Sequence, residues 1–336
     1  MATLLEKQIN LKQISGDTYT ASWHVDWTVG STLHGGCIAA VVHHAVATHL
    51  RTDPRFRTQP HILNLHFDFL RSCERCDSVI TITPLKIGAL VSTLELRLSQ
   101  NNKLKIIALA TATDFNKSLG PSVPTAKSWS GLLPPPKPTP DFERVLARKA
   151  EPNWVPARLE GEIIPMTSRI LDLYPRGSFV APGICDTWHG FLGDERITDT
   201  YLAFMTDMVP SMSDTLMQNG GLYDAHVFRD EAEKWASEHP GETCLFSNTA
   251  AQLVKSKTFN TTATLDVEFK KNLPQEGLRF VLVRTEAKML SGGRMDIHMT
   301  ICNEDMELIC LARQVILVLE AGRKFQAGTR TSDTKL

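Results

Sequence analysis

The chain has no surplus of positive charge: 36 Lys and Arg stand against 37 Asp and Glu, a formal net charge of −1 over 336 residues. A run of phosphates or an anionic leaflet finds no electrostatic counterpart here, so neither nucleic acid nor bulk membrane is expected as a partner. Long apolar runs are missing too. No stretch approaches the roughly 18 residues that a membrane span needs, and Glu6, Lys7 and Lys12 break the opening residues before a secretory apolar segment can form. The seven cysteines are odd in number and scattered, which fits reduced, structural thiols rather than a disulfide framework. The lone Cys73/Cys76 pair has no second pair to complete a zinc site. There is no Gly-x-Ser-x-Gly nucleophile elbow, no Gly-x-x-x-x-Gly-Lys-Ser/Thr phosphate loop and no His/Cys cluster at zinc spacing. A serine hydrolase, a nucleotide enzyme and a metalloenzyme each lack their recognisable part, and neither a cofactor nor a metal is expected. The expected compartment is the cytoplasm. The terminal Thr334-Lys335-Leu336 differs from the peroxisomal address Ser-Lys-Leu only at its first position, so peroxisomal import is a second expectation.

What the chain does contain is one unit written twice. An apolar share of 42% with 22% charged residues is an ordinary globular balance, and the length suits about two domains of roughly 150 residues. The stretch TATLDVEFKKNL (262–273) matches HILNLHFDFLRS (61–72) in pattern. Leu65, Phe67 and Phe69 alternate with His66 and Asp68; Leu265, Val267 and Phe269 alternate with Asp266 and Glu268, as strands with one buried face do.

Upstream of the first copy, Tyr19–Trp27 alternates and is rich in aromatics, which predicts a strand. From Gly35 the residues GGCIAAVVHHAVATHL lack the charged face of a surface helix and predict a buried one, on which His43 and His44 read as hydrogen-bonded core histidines. Strands are then predicted over 61–71, over 77–100 with a bend near Lys86-Ile87-Gly88, and over 103–115, with a tight hairpin at Asn101-Asn102. Residues 116–162 crowd Pro121, Pro124, Pro134, Pro135, Pro136, Pro138 and Pro140 into a short span, which blocks ladders and interior helix. They read as a crossover linker with a helical turn near Phe142–Lys149.

The offset between the copies is 165 at Trp23/Trp188, 164 at Ile38/Leu202, 200 at Leu65/Leu265 and 202 at Ala110/Ala312. Its growth from 164 to 200 means that the second copy carries 36 further residues between helix and strand. They fall at about 217–257, where Arg229–His239 reads as an added, charged surface helix. The division expected is therefore 1–115, a linker at 116–162, 163–322 with the insertion at about 217–257, and a polar tail at 323–336. Strands are expected over 278–290, 294–302 and 307–320.

A long helix with little polar surface, wrapped by an antiparallel sheet of long strands and present twice, resembles the hotdog fold in its double form. The resemblance is to the acyl-CoA thioesterase II family, over about 18–115 and 185–320 but not over the linker or the insertion. It implies an α+β fold of two tandem hotdogs, an acyl-CoA or other acyl-thioester substrate, and assembly into a homo-oligomer. It also implies a catalytic aspartate on the second hotdog helix, a threonine on the following strand and a glutamine on the last strand. The matching segments are Leu202-Ala203-Phe204-Met205-Thr206-Asp207, Ala263-Thr264-Leu265-Asp266 and Leu311-Ala312-Arg313-Gln314, so Asp207, Thr264 and Gln314 are the catalytic candidates. Asp207 would activate water, with Thr264 and Gln314 holding it. The same offsets put His43, Asn64 and Ala112 opposite these three, so the first copy lacks the set. Its own contribution is Leu33-His34-Gly35-Gly36, similar to the family's glycine pair at a helix start. There the unpaired backbone N–H groups of His34, Gly35 and Gly36 would receive an oxyanion. Pro210, three residues after Asp207, should kink or end the helix. Two alternatives stand beside hydrolysis of acyl-CoA: a hotdog enzyme acting on a carrier-bound, polyketide-type chain, and a binding module without turnover.

Overall fold

In the computed structural model, which describes residues 3–123 and 131–321, the apolar stretch after His34 forms α1 (Gly35–Thr52), and twelve of its 18 residues are buried. So complete a burial needs walls on every side. They are supplied by the sheet of β1 (Thr18–Ala21), β2 (His61–Phe69), β3 (Ser78–Lys86), β4 (Ser92–Gln100) and β5 (Lys103–Thr113) and, on the remaining side, by the helix Asp199–Met205 of the second unit. The bend expected near Lys86 is the turn between β3 and β4. Asn101 and Asn102 have φ of 49° and 58°, both left-handed as a two-residue hairpin requires. The strand predicted over Tyr19–Trp27 stops at Ala21, and Val25–Trp27 is a 3-10 turn instead. Here the ring of His24 accepts from the N–H of Asp26 at 3.3 Å, a local bond that diverts the backbone from a ladder.

The second unit repeats this order with β7 (Ile170–Pro175), preceded by β6 (Trp154–Gly161), then β8 (Ile184–Phe191), α2 (Asp199–Met205), α3 (Met212–Met217), α4 (Ala225–Glu238), β9 (Cys244–Asn248), β10 (Thr258–Phe269), β11 (Phe280–Glu286), β12 (Arg294–Cys302) and β13 (Leu308–Glu320). Two expectations are corrected here. β6 lies inside the stretch read as linker, yet it pairs with β7 and, in parallel, with β9. The crowded prolines end at Pro140, and the single Pro156 leaves the strand intact. The insertion helix α4 is also more than a charged surface element: Phe228, Ala232 and Ala236 pack with Val155, Tyr174 and Phe246. The expected turn near Phe142 is a short helix, Phe142–Leu146, capped by Asp141. Phe142 stacks on Phe280 at 4.3 Å, strapping the linker across the second unit.

One sheet runs through both units in the order β1-β3-β4-β5-β2-β10-β13-β12-β11-β8-β7-β6-β9, with the short pair Lys12–Gln13 beyond β1. The units meet where β2 pairs with β10, Leu65 opposite Val267, His66 opposite Asp266 and Phe67 opposite Leu265. His66 and Asp266 are equivalent in the repeat and are also partners in the ladder. A local two-fold axis therefore passes between them, and the His66 ring lies 2.6 Å from the Asp266 carboxylate. Among the described residues no helix is long and apolar enough to cross a membrane. The tail with Thr334-Lys335-Leu336 lies outside the described residues.

The buried histidines set an acid limit on this core. Nδ1 of His43 lies 3.1 Å from the hydroxyl of Thr200, and burial pushes its pKa down to about 3. Burial lowers His44 and His49 as well. Because these folded values lie below the unfolded one, stability is complete above about pH 6.5 and falls as pH drops, since the unfolded chain takes up protons that the core refuses. The urea midpoint should fall between pH 7.5 and pH 5, less steeply in His43→Gln. Equal midpoints at the two pH values would show that these rings titrate freely in the fold.

Candidate active site

Asp207 lies in a break between two helices. α2 ends at Met205, Thr206 caps it, and α3 starts after Ser211, whose hydroxyl accepts from the N–H of Asp214 at 3.3 Å. Pro210 cannot supply a helical N–H, so the regular helix stops before it, as its position predicts. The Asp207 side chain is 11% exposed and faces the start of α1. There Nε2 of His34 stands 3.6 Å from Oδ2. Nδ1 of the same ring accepts from the N–H of Gly36 at 3.2 Å, which leaves the proton on Nε2, directed at the carboxylate.

The glycine pair permits this approach. A Cβ on Gly35 would sit 2.4 Å from Oδ2 of Asp207, and one on Gly36 would sit 2.3 Å from the backbone oxygen of Phe204. Neither site has room for a side chain. The expectation of free N–H groups on His34 and Gly36 is corrected: that of His34 donates to the backbone oxygen of Trp27 at 3.0 Å and that of Gly36 to the His34 ring. The first-turn donors without an acceptor among the described residues are therefore those of Gly35 and Cys37. The thiol of Cys37 is no nucleophile: burial, reinforced by the charge of Asp207, holds its pKa well above the usual thiol range.

Thr264 is not at this site, and Thr262 is. The ladder between β10 and β13 slips between Thr262 and Thr264, so that Thr264 pairs with Val315, and Thr262 with Ile316. Leu265 and Gln314 are buried on the helix side; Thr264 alternates away from them toward the opposite face with half-exposed Val315. The bulge turns Thr262 inward instead, and its hydroxyl donates to Oδ1 of Asp207 at 3.2 Å. The same irregularity occurs in the first copy between Ile62 and Asn64, so the counterpart of Thr262 is the apolar Ile62. The run Thr261-Thr262-Ala263-Thr264 held the residue, but alternation counted from Leu265 cannot see a bulge. Thr262→Val is expected to lower kcat about tenfold, in keeping with one lost hydrogen bond to a charged group, while Thr264→Val stays near the unmutated rate. The reverse order would return the role to Thr264.

Gln314 is completely buried on β13. Its Nε2 donates to the backbone oxygen of Thr206, the residue before Asp207, and its Oε1 is buried without a partner among the described residues. The fold thus gathers Asp207, His34, Gly35 and Thr262, with Gln314 tied in through Thr206. Around the pseudo-two-fold axis, His43 bonds to Thr200 and Asn64 donates to the backbone of Val267. Neither supplies a carboxylate, and the constellation is single.

Comparison with known proteins agrees with this architecture. Residues 23–113 match the family model of the acyl-CoA thioesterase N-terminal domain, and residues 132–318 that of the acyl-CoA thioesterase C-terminal domain. The thioesterase-like protein TwmA of Talaromyces wortmannii is 23% identical over 350 residues, covering 99% of this chain and 97% of the relative. A hot dog fold protein of Alicyclobacillus acidocaldarius superposes with a TM-score of 0.65 at 14% identity over 95% of this chain and 98% of its own. The acyl-CoA thioesterase II TesB2 of Mycobacterium marinum does so with a TM-score of 0.57 at 16% identity, over 94% and 97%. With both halves matched in order on a doubled hotdog sheet, the chain belongs to the acyl-CoA thioesterase family and is a thioester hydrolase.

Proposed function

We propose that the protein hydrolyses acyl-CoA by direct attack of water on the thioester carbonyl, with Asp207 as general base. The observation that carries this reading is the nearly buried Asp207 carboxylate, held by Thr262 and facing the first turn of α1. Water placed against Asp207 gives up a proton as its oxygen bonds to the carbonyl carbon. Oε1 of Gln314 is an unfilled acceptor for the second hydrogen of that water. The developing oxyanion is received by the N–H groups of Gly35 and Cys37 at the positive end of the helix. The C–S bond then breaks, the thiolate takes the proton from Asp207, and free acid and CoA leave. His34 acts as a positioning residue, directing Nε2–H at Oδ2 so that the carboxylate keeps one orientation. No covalent acyl-enzyme is needed. Assembly into a homo-oligomer belongs to the same proposal and is read by sedimentation.

Free-thiol release from a panel of short to long acyl-CoAs tests the reading, and the best chain length sizes the acyl site. Binding of acyl-CoA with no thiol released from any member would leave only the binding-module alternative or a carrier-bound substrate.

A further inference from the structure

The insertion closes one side of a cavity whose other walls are loop 178–183 and α3. About 340 Å³ in volume, it lies between α3, the start of α4 and loop 178–183, and its lining includes Phe179, Pro182, Gly183, Leu216, His226 and Arg229. The wall helix α3, which carries Leu216, is joined to the strand that holds Asp207. Ser213 on α3 donates to Oδ1 of Asn260 at 3.1 Å, and Asn260 stands two residues before Thr262, the partner of Asp207. Two strand residues, one helical turn and the two side-chain bonds make a path on the order of 20 Å from the carboxylate to the cavity wall. A thioester attacked at Asp207 has substituents on both sides that extend that far.

The wall chemistry is divided. Phe179, Pro182 and Leu216 form an apolar floor, and Leu216 is continuous with the main core. Above the floor are two basic side chains. The Arg229 guanidinium lies over the Phe179 ring, 5.7 Å from its centroid, and the His226 ring meets that ring edge-on at 5.0 Å. One terminal nitrogen of Arg229 donates to Asp230. Its Nε is buried and without a partner among the described residues. A buried guanidinium N–H without an acceptor is costly, and it suits an oxygen anion that arrives with its own apolar stem.

We propose that this cavity recognises an anionic group at the far end of the thioester substrate, with Arg229 and His226 as its specificity-determining residues. The anion is either a phosphate on the carrier side or a carboxylate at the end of the acyl chain. The inference rests on the thioesterase reading of Asp207. Both basic residues come from the insertion, so the subsite is an addition to the doubled hotdog.

The test compares the unmutated protein, Arg229→Gln and Arg229→Lys on octanoyl-CoA, on octanoyl-pantetheine, which has no phosphate, and on octanoyl-pantetheine with a terminal carboxylate on the acyl chain. Arg229→Gln should raise KM about tenfold or more on the anion-bearing substrate, the worth of one charge-assisted hydrogen bond, with kcat nearly unchanged and partial recovery in Arg229→Lys. A rise on octanoyl-CoA alone assigns the phosphate; a rise on the carboxylated substrate alone assigns the acyl end. An equal rise on plain octanoyl-pantetheine, or no rise on any substrate, overturns the proposal. Should Arg229→Gln fail to fold, His226→Gln must give the same substrate pattern. If the unmutated protein turns over none of the three, the thioesterase reading fails by itself. The subsite is then judged by calorimetric binding of CoA and of octanedioate, one of which must weaken in the variants.

Discussion

Asp207→Asn should lower kcat by roughly 10²–10⁴, the range that a positioned general base contributes, while the fold and substrate binding are kept. The substitution preserves shape and removes the basic oxygen. Its effect is sharpened by the neighbours of Asp207: the hydroxyl of Thr262 donates to Oδ1 at 3.2 Å, and Nε2–H of His34 faces Oδ2 at 3.6 Å. An amide can offer its oxygen to only one of them and must turn an NH2 group to the other, so the asparagine also loses orientation. Thiol release and circular dichroism measured on one preparation separate lost chemistry from lost fold. A rate within about threefold of the unmutated protein would remove Asp207 from the role of base, since that is far below the contribution general base catalysis makes.

Asp186→Ala should cost about 3–5 kcal/mol of stability, because it leaves a buried guanidinium without its counter-ion. Asp186 and Arg284 face one another across β8 and β11, each side chain 1% exposed, joined by two parallel bonds of 2.7 Å. The third donor of Arg284 reaches the backbone oxygen of Pro134 at 2.8 Å, so the pair also holds the linker strap over the apolar cluster of Trp154, Trp188 and Phe280. Replacing both members by apolar residues, as in Asp186→Leu with Arg284→Met, should recover most of the loss, since neither charge then needs solvation. Urea unfolding of the two variants checks this. A cost below about 1 kcal/mol for Asp186→Ala would mean that water reaches the guanidinium, because exposed pairs are worth no more than that.

The doubled unit was legible in the sequence because its signals are local and periodic. The alternation around Leu65 and Leu265 and the apolar run after Gly35 stand in adjacent letters and follow from which faces must be dry, and the offset drift of 36 residues comes from laying one such local pattern against the other. The end of the second helix before Pro210 and the buried His43 were legible for the same reason, whereas Asp207 was singled out only through the resemblance to a known family. Thr262 was not. Which of the neighbouring threonines faces Asp207 depends on a one-residue slip between β10 and β13, and a bulge is chosen by the packing of two strands rather than by either sequence. The strand β6 was obscured by the prolines before it, and its partners β7 and β9 come from later in the chain. The contact of Gly35 with Asp207 and the cavity beneath Arg229 likewise join segments far apart in sequence. Local alternation and composition determined what each stretch becomes. Only the closing of the two units around one axis decided which side chains meet, because that depends on the register and close packing of surfaces that lie hundreds of residues apart.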